Sequence, residues 1–257
     1  MEASFTNHFA SGMVRMQRQI KSLAAGILLM VAGQAMIQAA DSPVGDSPIR
    51  LRASPDGNAI SGLTHGNGLY VAVGQAGMIF TSFDGIEWTK QSSGSSHPLH
   101  SIAFGNGVFV VVGPEGMILT SADGHHWTDR KSRNYSCFRS VVFGNGTFVA
   151  VGSNGSIFGS EDGISWVKRD SGVPVQLRSV TEGNGVFVAV GEGGLVLTST
   201  DGSKWAKRDS GTDRNLKRVS FELCIFVVVG SSDTVLTSAD GVSWESVKEK
   251  GAALNRK

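Results

Sequence analysis

Five aspartates recur in the sequence at intervals of 39 residues, each inside a Ser-x-Asp-Gly-x-x-Trp segment. A carboxylate at a repeated position could act as a general acid or base, or as an oxygen ligand for a metal. The Asp-Gly pair is also typical of a tight turn, in which the carboxylate accepts backbone N–H bonds and the glycine takes the left-handed conformation. We therefore expect these aspartates to hold turns, and the tryptophans to pack against neighbouring sheets. The set comprises Asp84, Asp123, Asp162, Asp201 and Asp240, with Trp88, Trp127, Trp166, Trp205 and Trp244.

A second position of the same period is occupied by cations in most copies. Side chains of this kind attract anions if the fold brings them together. They would then form a basic rim that binds an acidic protein segment or an acidic glycan. The alternative is that each long side chain covers its own sheet and keeps its charge in water, with Glu115 and Glu192 nearby to weaken the field. The candidate residues are His100, Arg139, Arg178, Lys217 and Arg218, with Arg133 and Tyr135 from the basic loop 130–139.

The histidines and glycines do not predict a metal or cofactor site. His125 and His126 are adjacent on a predicted strand, so their rings would point to opposite faces. His65, His97 and His100 share no ligand spacing. The Asp-Gly turns lack the dense carboxylates of a calcium loop, and the glycines join strand to strand rather than strand to helix, as a phosphate-binding loop would. We expect no metal and no cofactor.

The period of 39 residues also dictates the elements that position these side chains. In the unit 100–131, apolar and β-branched residues predict strands at 100–104, 108–112, 117–120 and 126–129. A Gly-Asn-Gly turn separates the first two strands, and the Asp-Gly turn separates the last two. Four short antiparallel strands in about 40 residues are typical of one propeller blade. The sequence predicts an all-β protein, a β-propeller of five four-stranded blades.

The ends of the repeat do not decide how the ring of blades closes. Inner strands occur five times, but outer-strand candidates occur six times, because Ile49–Arg52 precedes the first unit at the phase of the tryptophan strands. This segment would compete with 244–247 to close the fifth blade. Closure removes exposed sheet edges, so we expect a closed ring of five blades; an open ring, or one completed by an oligomer, is the alternative. The fifth unit departs from the repeat at Glu222, Cys224 and Asp233.

The topology of a propeller assigns the turns to two faces. The Gly-Asn-Gly turns and the Asp-Gly turns share one face, on which the five copies are nearly uniform. The other face carries the loops between second and third strands and between blades, where the copies differ. Variable loops on a rigid scaffold are the usual place of binding, and the basic rim belongs to this second face.

The repeated segment resembles the Asp-box of bacterial neuraminidase (BNR) repeats. The longer pattern Val-Ala-Val-Gly-x-x-Gly-x-Ile-x-Thr-Ser-x-Asp-Gly-x-x-Trp is similar to the propellers of photosystem II assembly/stability factors and their non-photosynthetic relatives, over residues 58–247. The resemblance implies a β-propeller in which the Asp-box holds the blade and is not a catalytic carboxylate.

A sialidase would need an arginine cluster, a tyrosine nucleophile with a glutamate partner, and an acidic proton donor. Tyr70 occupies the phase of buried phenylalanines, and Tyr135 has no glutamate near it in sequence or phase. We therefore expect no enzyme, but a non-catalytic binding or scaffold propeller that engages an exported protein or an anionic partner. The alternative is a carbohydrate-binding or sialidase-like propeller, which should expose aromatics. Only Tyr135 and Phe138 are candidates in those loops, which favours a protein or an anion over a sugar ring.

The first 40 residues predict a secretory signal peptide, with a basic head, an apolar centre at 23–32 and small residues before Asp41. Cleavage after Ala35 or after Ala40 fits, and translation could start at Met13 or Met16. An uncleaved anchor is the alternative. We expect a secreted or periplasmic monomer with a linker at 41–48, the propeller at 49–247, a tail at 248–257, and no membrane span after cleavage.

Two further features limit the partners and the covalent chemistry. The net charge of +1 gives no general attraction to nucleic acid. The two cysteines, Cys137 and Cys224, fall at different phases of the repeat, so we expect two free thiols rather than a disulfide.

Overall fold

The computed structural model describes residues 59–130 and 136–247, which lie in one compact unit. These residues form five four-stranded antiparallel sheets, each with its strands in sequence order. The signal peptide, the linker 41–48, the outer-strand candidate Ile49–Arg52 and the tail 248–257 lie outside the described residues. Within the described ranges there is no α-helix of the length and hydrophobicity that a membrane crossing requires.

Each sheet is one blade, numbered along the chain. Blade 1 contains β1 (Ile60–Gly66), β2 (Leu69–Gly74), β3 (Ile79–Ser82) and β4 (Thr89–Gln91). Blade 2 contains β5 (Ser101–Gly105), β6 (Val108–Val112), β7 (Ile118–Ser121) and β8 (Thr128–Asp129). Blade 3 contains β9 (Phe138–Gly144), β10 (Thr147–Gly152), β11 (Ile157–Ser160) and β12 (Val167–Arg169). Blade 4 contains β13 (Leu177–Gly183), β14 (Val186–Gly191), β15 (Val196–Ser199) and β16 (Ala206–Arg208). Blade 5 contains β17 (Leu216–Glu222), β18 (Ile225–Gly230), β19 (Val235–Ser238) and β20 (Glu245–Ser246).

The two-residue turns explain why the first two strands of a blade form a hairpin. Asn67 has a φ of 50° and Gly68 a φ of 72°. Positive φ at both central positions matches the right-handed twist of the strands, and Asn and Gly tolerate it. Blade 5 makes the same turn with Leu223 and Cys224, which also have positive φ although neither residue type favours it.

The hydrophobic core consists of layers between successive blades. Phe109 and Val111 of blade 2 pack on Val71 and Val73 of blade 1, and all four side chains are fully buried. Equivalent layers join blades 2 and 3, 3 and 4, and 4 and 5. One aromatic recurs at the centre of each layer; these residues are Phe109, Phe148, Phe187 and Phe226. Because every blade buries both faces of its second strand, that strand is a continuous apolar run rather than an alternating one.

The inner strands pack in series, and the series does not return to its start. β1 packs on β5, β5 on β9, β9 on β13, and β13 on β17. Between the described strands β17 and β1 there is no comparable packing. The expectation that blade 5 closes the ring directly against blade 1 is therefore wrong. The outer strand of blade 1 is β4 and that of blade 5 is β20. The expected competition of Ile49–Arg52 with 244–247 stays a prediction, because Ile49–Arg52 lies outside the described residues.

The outer strands begin later than the sequence predicts. The prediction placed His126 and Trp127 in a strand, but β8 begins at Thr128. His125 and His126 lie in the turn, since their backbone N–H groups donate to Asp123 Oδ1 at 2.8 Å each. An N–H that is bonded to the aspartate cannot pair with a neighbouring strand, so the strand starts after the tryptophan.

Candidate anion-binding site

The starts of the inner strands lie around the mouth of one cavity. A cavity of about 500 Å³ opens there, lined by Ser61, His100, Arg139, Gln176, Arg178, Lys217 and Arg218. We call these seven residues the basic rim. Five of them repeat at the interval of 39 residues, so each blade contributes one side chain from the same position.

β-bulges determine the direction in which four of these side chains point. In blade 3, Phe138 pairs with Gly152 and Ser140 pairs with Val151, so the residue between them, Arg139, has no partner across the strand. The same register shift leaves out Ser61, Arg178 and Lys217 in blades 1, 4 and 5. A bulge bends its strand and redirects the extra side chain. The sequence pattern predicted the positions of these residues. It did not predict the bulge that turns their side chains toward the mouth.

One of the four cations of the basic rim already has an acidic partner. Arg178 Nη2 lies 2.7 Å from Glu192 Oε1, and both side chains are about one-third exposed, at 34% and 38%. When the amide of Gln176 is oriented to satisfy both neighbours, its nitrogen donates to Glu192 at 3.2 Å and its oxygen accepts from Arg139 Nε at 3.0 Å. Glu192 and Gln176 therefore hold Arg178 and Arg139 in place, and a bound anion would have to compete with Glu192 for Arg178.

Lys217 and Arg218 provide the unpaired charge of the basic rim. Within residues 59–130 and 136–247, no carboxylate lies within ion-pair distance of either side chain. Lys217 is exposed, whereas Arg218 is half-buried, and desolvation lowers the pKa of Arg218 below its usual value. A guanidinium nevertheless stays charged near neutral pH. Among the described residues, blade 5 thus presents two adjacent cations without an acidic neighbour. The electrostatic attraction for an anion should be strongest on this side of the mouth.

His100 belongs to the basic rim as a neutral group near pH 7. Its Nδ1 lies 2.6 Å from the carbonyl oxygen of Phe138, which makes Nδ1 the donor and leaves Nε2 as an acceptor. Burial lowers the pKa of His100, and the positive charge of Arg139 lowers it further, although the Phe138 carbonyl works in the opposite direction. His100 therefore adds hydrogen-bonding capacity rather than charge.

The five Asp-box aspartates are engaged in their turns on the opposite face. In blade 3, Asp162 Oδ1 accepts the backbone N–H of Ile164 at 2.8 Å and of Ser165 at 2.7 Å. The Ser160 hydroxyl adds a third bond at 2.9 Å. These bonds, of which the Ser165 N–H is the strongest, lower the pKa of Asp162 to about 2. The equivalent carboxylates also have lowered pKa values: the His126 side chain is the main cause for Asp123, and backbone N–H bonds are the main cause for Asp84, Asp201 and Asp240. They therefore stay ionised and are unsuited to donate a proton.

The tryptophan of each Asp-box also holds the turn, through a hydrogen bond from its indole N–H. Trp166 Nε1 donates to the carbonyl of Gly163 at 2.9 Å, and its ring lies 6.4 Å from that of Phe148. The other four boxes make the same indole bond at 3.0 to 3.2 Å. Each box thus ties a surface turn to the core of its blade.

The remaining candidates from the sequence contribute no described side chain to the basic rim. Arg133 and Tyr135 lie outside the described residues, so the basic loop that carries them adds nothing to the geometry above. Cys137 and Cys224 are both free thiols. Among the residues that the structure describes, no group of three or more His, Cys, Asp or Glu side chains could hold a metal ion.

Two comparisons, with models of protein families and with curated proteins, find no match to this chain. Solved structures do match. YCF48 from Cyanidioschyzon merolae is 16% identical with a TM-score of 0.57, over 74% of this chain and 71% of that chain. A structure of YCF48 bound to D1 peptide is 18% identical with a TM-score of 0.59, over 73% and 68%. The computationally designed protein Ika8 is 13% identical with a TM-score of 0.59, over 75% and 61%. These likenesses confirm the predicted β-propeller fold.

Proposed function

We propose that this protein is a non-catalytic propeller that binds an acidic segment of a protein partner at the basic rim. The observation that carries the proposal is the convergence of Arg139, Arg178, Lys217 and Arg218 on one cavity, where among the described residues only Arg178 has an ion-pair partner, Glu192. Such an excess of cations in a concave site raises the local concentration of anions and orients them. Arginine also binds carboxylates through two parallel hydrogen bonds.

A peptide suits this cavity better than a sugar ring. The described side chains that line it are basic and polar, with no Trp, Tyr or Phe among them, whereas glycan sites commonly offer an aromatic face. One of the similar solved structures, YCF48, was determined with a D1 peptide bound, which supports a propeller of this shape acting as a peptide receptor. The proposal of no enzymatic activity is supported by the Asp-box carboxylates, which are engaged in turns.

We also propose that the protein acts outside the cytoplasm, since its first 40 residues have the pattern of a signal peptide. The partner would then be an exported protein or an exported domain. Sequencing the amino terminus of the protein recovered from the native host tests this point, because cleavage after Ala35 or Ala40 would leave a defined new terminus.

The binding proposal is tested with a labelled ten-residue glutamate peptide and the full mature protein, measured by fluorescence anisotropy at low and high salt. The test variant is the triple reversal Arg139→Glu, Arg178→Glu and Lys217→Glu. The matched control reverses Lys168, Lys204 and Lys207, which are exposed and distant from the basic rim. Circular dichroism confirms that both variants are folded.

We expect the wild type and the control variant to bind the acidic peptide with an affinity that falls as salt rises. The rim variant should bind at least about tenfold more weakly, which corresponds to the loss of roughly 1.4 kcal/mol. Equal weakening in both variants would mean that only net charge matters and would overturn the proposal. Binding to a sulfated polysaccharide but not to the peptide would favour the carbohydrate-binding alternative instead.

A further inference from the structure

Three large apolar side chains are strongly exposed on the Asp-box face of the first and last blades. Phe83 and Ile86, in the Asp-box of blade 1, are 76% and 80% exposed, and Leu223, in the hairpin turn between β17 and β18 of blade 5, is 74% exposed. The other exposed large apolar side chains that the structure describes lie between 36% and 52%. We call Phe83, Ile86 and Leu223 the end-blade patch. A group of exposed apolar side chains of this kind needs an explanation that single ones do not.

The Asp-box turn of blade 1 does not require its two large apolar side chains. The backbone N–H of Ile86 donates to Asp84 Oδ1 at 2.8 Å. Ser203, at the equivalent position of blade 4, makes the same bond to Asp201 Oδ1 at 2.8 Å. The position of Phe83 is likewise occupied by small or polar residues in the other blades, namely Ala122, Glu161, Thr200 and Ala239. The turn therefore does not explain why blade 1 carries Phe83 and Ile86.

Leu223 has a backbone conformation that its residue type disfavours. Its φ is 50°, in the left-handed region that leucine rarely adopts. The four other blades place an asparagine here, which tolerates this conformation. Because the Leu223 side chain is exposed, burial does not compensate for the strain. Residues in strained conformations concentrate at functional sites, so Leu223 points to a role beyond the fold.

The repeat relates Leu223 to Phe83 across the junction of the last and first blades. At an internal junction, Asn67 Nδ2 donates to the carbonyl of Ala122 in the next blade at 3.2 Å. Counted round the five blades, Leu223 occupies the position of the donor and Phe83 that of the acceptor. Leucine has no donor for such a bond, and β17 and β1 do not pack as the other inner strands do. Both end blades also contribute to the basic rim on the opposite face. The end-blade patch therefore lies on the two sides of this junction.

The charges next to the end-blade patch are negative. The turns that carry it and the Asp-box of blade 5 contain four carboxylates and no lysine or arginine; the carboxylates are Asp84, Glu87, Glu222 and Asp240. Bonds from backbone N–H groups lower the pKa of Asp84 and of Asp240, so both are ionised near neutral pH.

Glu222 is the carboxylate next to Leu223, and it is half-buried. Burial raises its pKa, and no described residue pairs with it. Burying a carboxylate without a partner is unfavourable. A cation brought by a ligand would therefore gain most beside Glu222, directly next to an exposed apolar side chain.

We propose that the end-blade patch is a second docking surface, which binds a protein segment that carries apolar side chains beside lysine or arginine. The apolar side chains of the segment cover Phe83, Ile86 and Leu223, and its cations pair with the neighbouring carboxylates. An anionic membrane surface fits less well, because its charge has the same sign as these carboxylates. The same patch on a second copy of the chain would be repelled for the same reason.

The probe for this surface is a labelled peptide of leucine and lysine, about fourteen residues long and patterned as a helix with one apolar and one basic face. Fluorescence anisotropy measures its binding to the full mature protein. The test variant carries Phe83→Ala, Ile86→Ser and Leu223→Asn, each of which introduces a residue that another blade already has at that position. The matched control removes two exposed apolar side chains of blade 3, through Ile164→Ser and Val167→Ala. Circular dichroism checks that both variants are folded.

We expect the wild type and the control to bind the peptide equally, and the test variant to bind at least about tenfold more weakly. Glu222→Gln should weaken binding by about threefold, whereas Glu161→Gln, in the Asp-box of blade 3, should not. Equal binding by the wild type and the test variant, or no binding by the wild type, would overturn the proposal. Vesicle binding or dimer formation that the wild type shows and the test variant loses would also overturn it, in favour of a membrane or a second copy.

Cys224 provides a measurement on the unchanged protein. Its thiol is free and exposed and directly follows Leu223, whereas Cys137 is free and half-buried. The rate at which a maleimide modifies each cysteine is followed by mass spectrometry. Saturating leucine–lysine peptide should slow the modification of Cys224 by about tenfold and leave that of Cys137 unchanged. An unchanged rate at Cys224 while the peptide is bound would contradict the assignment. The acidic peptide should not slow Cys224, so the end-blade patch and the basic rim fail separately.

Discussion

Arg178 and Glu192 form an ion pair of 2.7 Å inside the basic rim. The two residues lie in the same blade, Arg178 in the bulge of β13 and Glu192 in the turn after β14. Gln176 joins them to Arg139. The rim is therefore not a uniform ring of free cations: blades 3 and 4 hold a network that is partly neutralised, and blade 5 holds the free charge of Lys217 and Arg218.

The first prediction concerns this network. Glu192→Gln removes the negative charge and frees Arg178, so the affinity for the acidic peptide should rise by about threefold to tenfold at low salt, as expected for one added charge near the surface. The gain should shrink at high salt. Anisotropy titrations measure it. Glu161→Gln makes the same charge change on the Asp-box face and is the control; an equal gain in both variants would contradict a local effect at Arg178.

The sequence was sufficient to predict the elements that depend on residues close to each other in the chain. The turn at Asn67 and Gly68 and the box at Asp162 and Trp166 depend on residues within a few positions of each other, and the turn pattern occurs four times and the box five times. The period therefore predicted the blades and placed Arg139 and its equivalents at one position. The starts of the outer strands were wrong because the aspartate takes the N–H groups that were assigned to the strand.

Closure of the ring could not be predicted in the same way. It depends on whether blade 5 can meet blade 1, and Arg218 and Glu222 of blade 5 lie more than 120 positions after the end of blade 1 in the sequence. The departure from the repeat at Glu222 was visible in the sequence, but its meaning needed the close approach of Gly66 to the ring of Phe104 at an internal junction. The pairing of Arg178 with Glu192 likewise depends on side-chain rotamers that a sequence pattern does not specify.

The second prediction concerns the serine bridge between blades. Ser140→Ala removes the acceptor of the Val180 N–H, which leaves a buried donor without its partner. We expect a loss of about 1–2 kcal/mol in the free energy of unfolding, measured by urea denaturation. Ser92→Ala, at an exposed position on blade 1, is the control and should change stability by less than about 0.5 kcal/mol. A loss of similar size at both serines would show that the bridge contributes nothing specific.

The third prediction concerns acid stability. The pKa of Asp162 is about 2 in the folded protein, below its value of about 3.9 in an unfolded chain. A lowered pKa means that this carboxylate stabilises the fold above about pH 4, and that the contribution is lost as the pH falls through about 2. Asp162→Asn keeps an acceptor oxygen but removes the charge. Its melting temperature should lie below that of the wild type at pH 7, by roughly 1–3 °C, and the difference should disappear near pH 2.

Thermal melts at pH 7, 4 and 2.5 measure this difference. Asp213→Asn serves as the reference, because the Asp213 side chain is 98% exposed and lies outside the Asp-boxes. A difference between Asp162→Asn and wild type that stays constant over the whole pH range would refute the role of the ionised carboxylate. So would an equal narrowing of the difference for Asp213→Asn.

The last prediction concerns the glycines under the aromatic side chains. Gly105 does not have positive φ, so its backbone would accept any residue, but a Cβ on it would overlap the ring of Phe143 in the next blade. Gly105→Ala should therefore force the ring or the strand to move and cost about 1–3 kcal/mol. Gly159→Ala is the matched control in a strand, since its Cβ would meet the flexible side chain of Arg169 at 3.3 Å and the backbone oxygen of Phe148 at an ordinary contact distance of 3.8 Å. Urea denaturation of both variants, together with Gly105→Ala combined with Phe143→Ala, separates the overlap from the general effect of a methyl group. If the overlap is the cause, the alanine at 105 costs less when Phe143 is already truncated; an unchanged cost in that background would show that the ring does not determine the need for glycine.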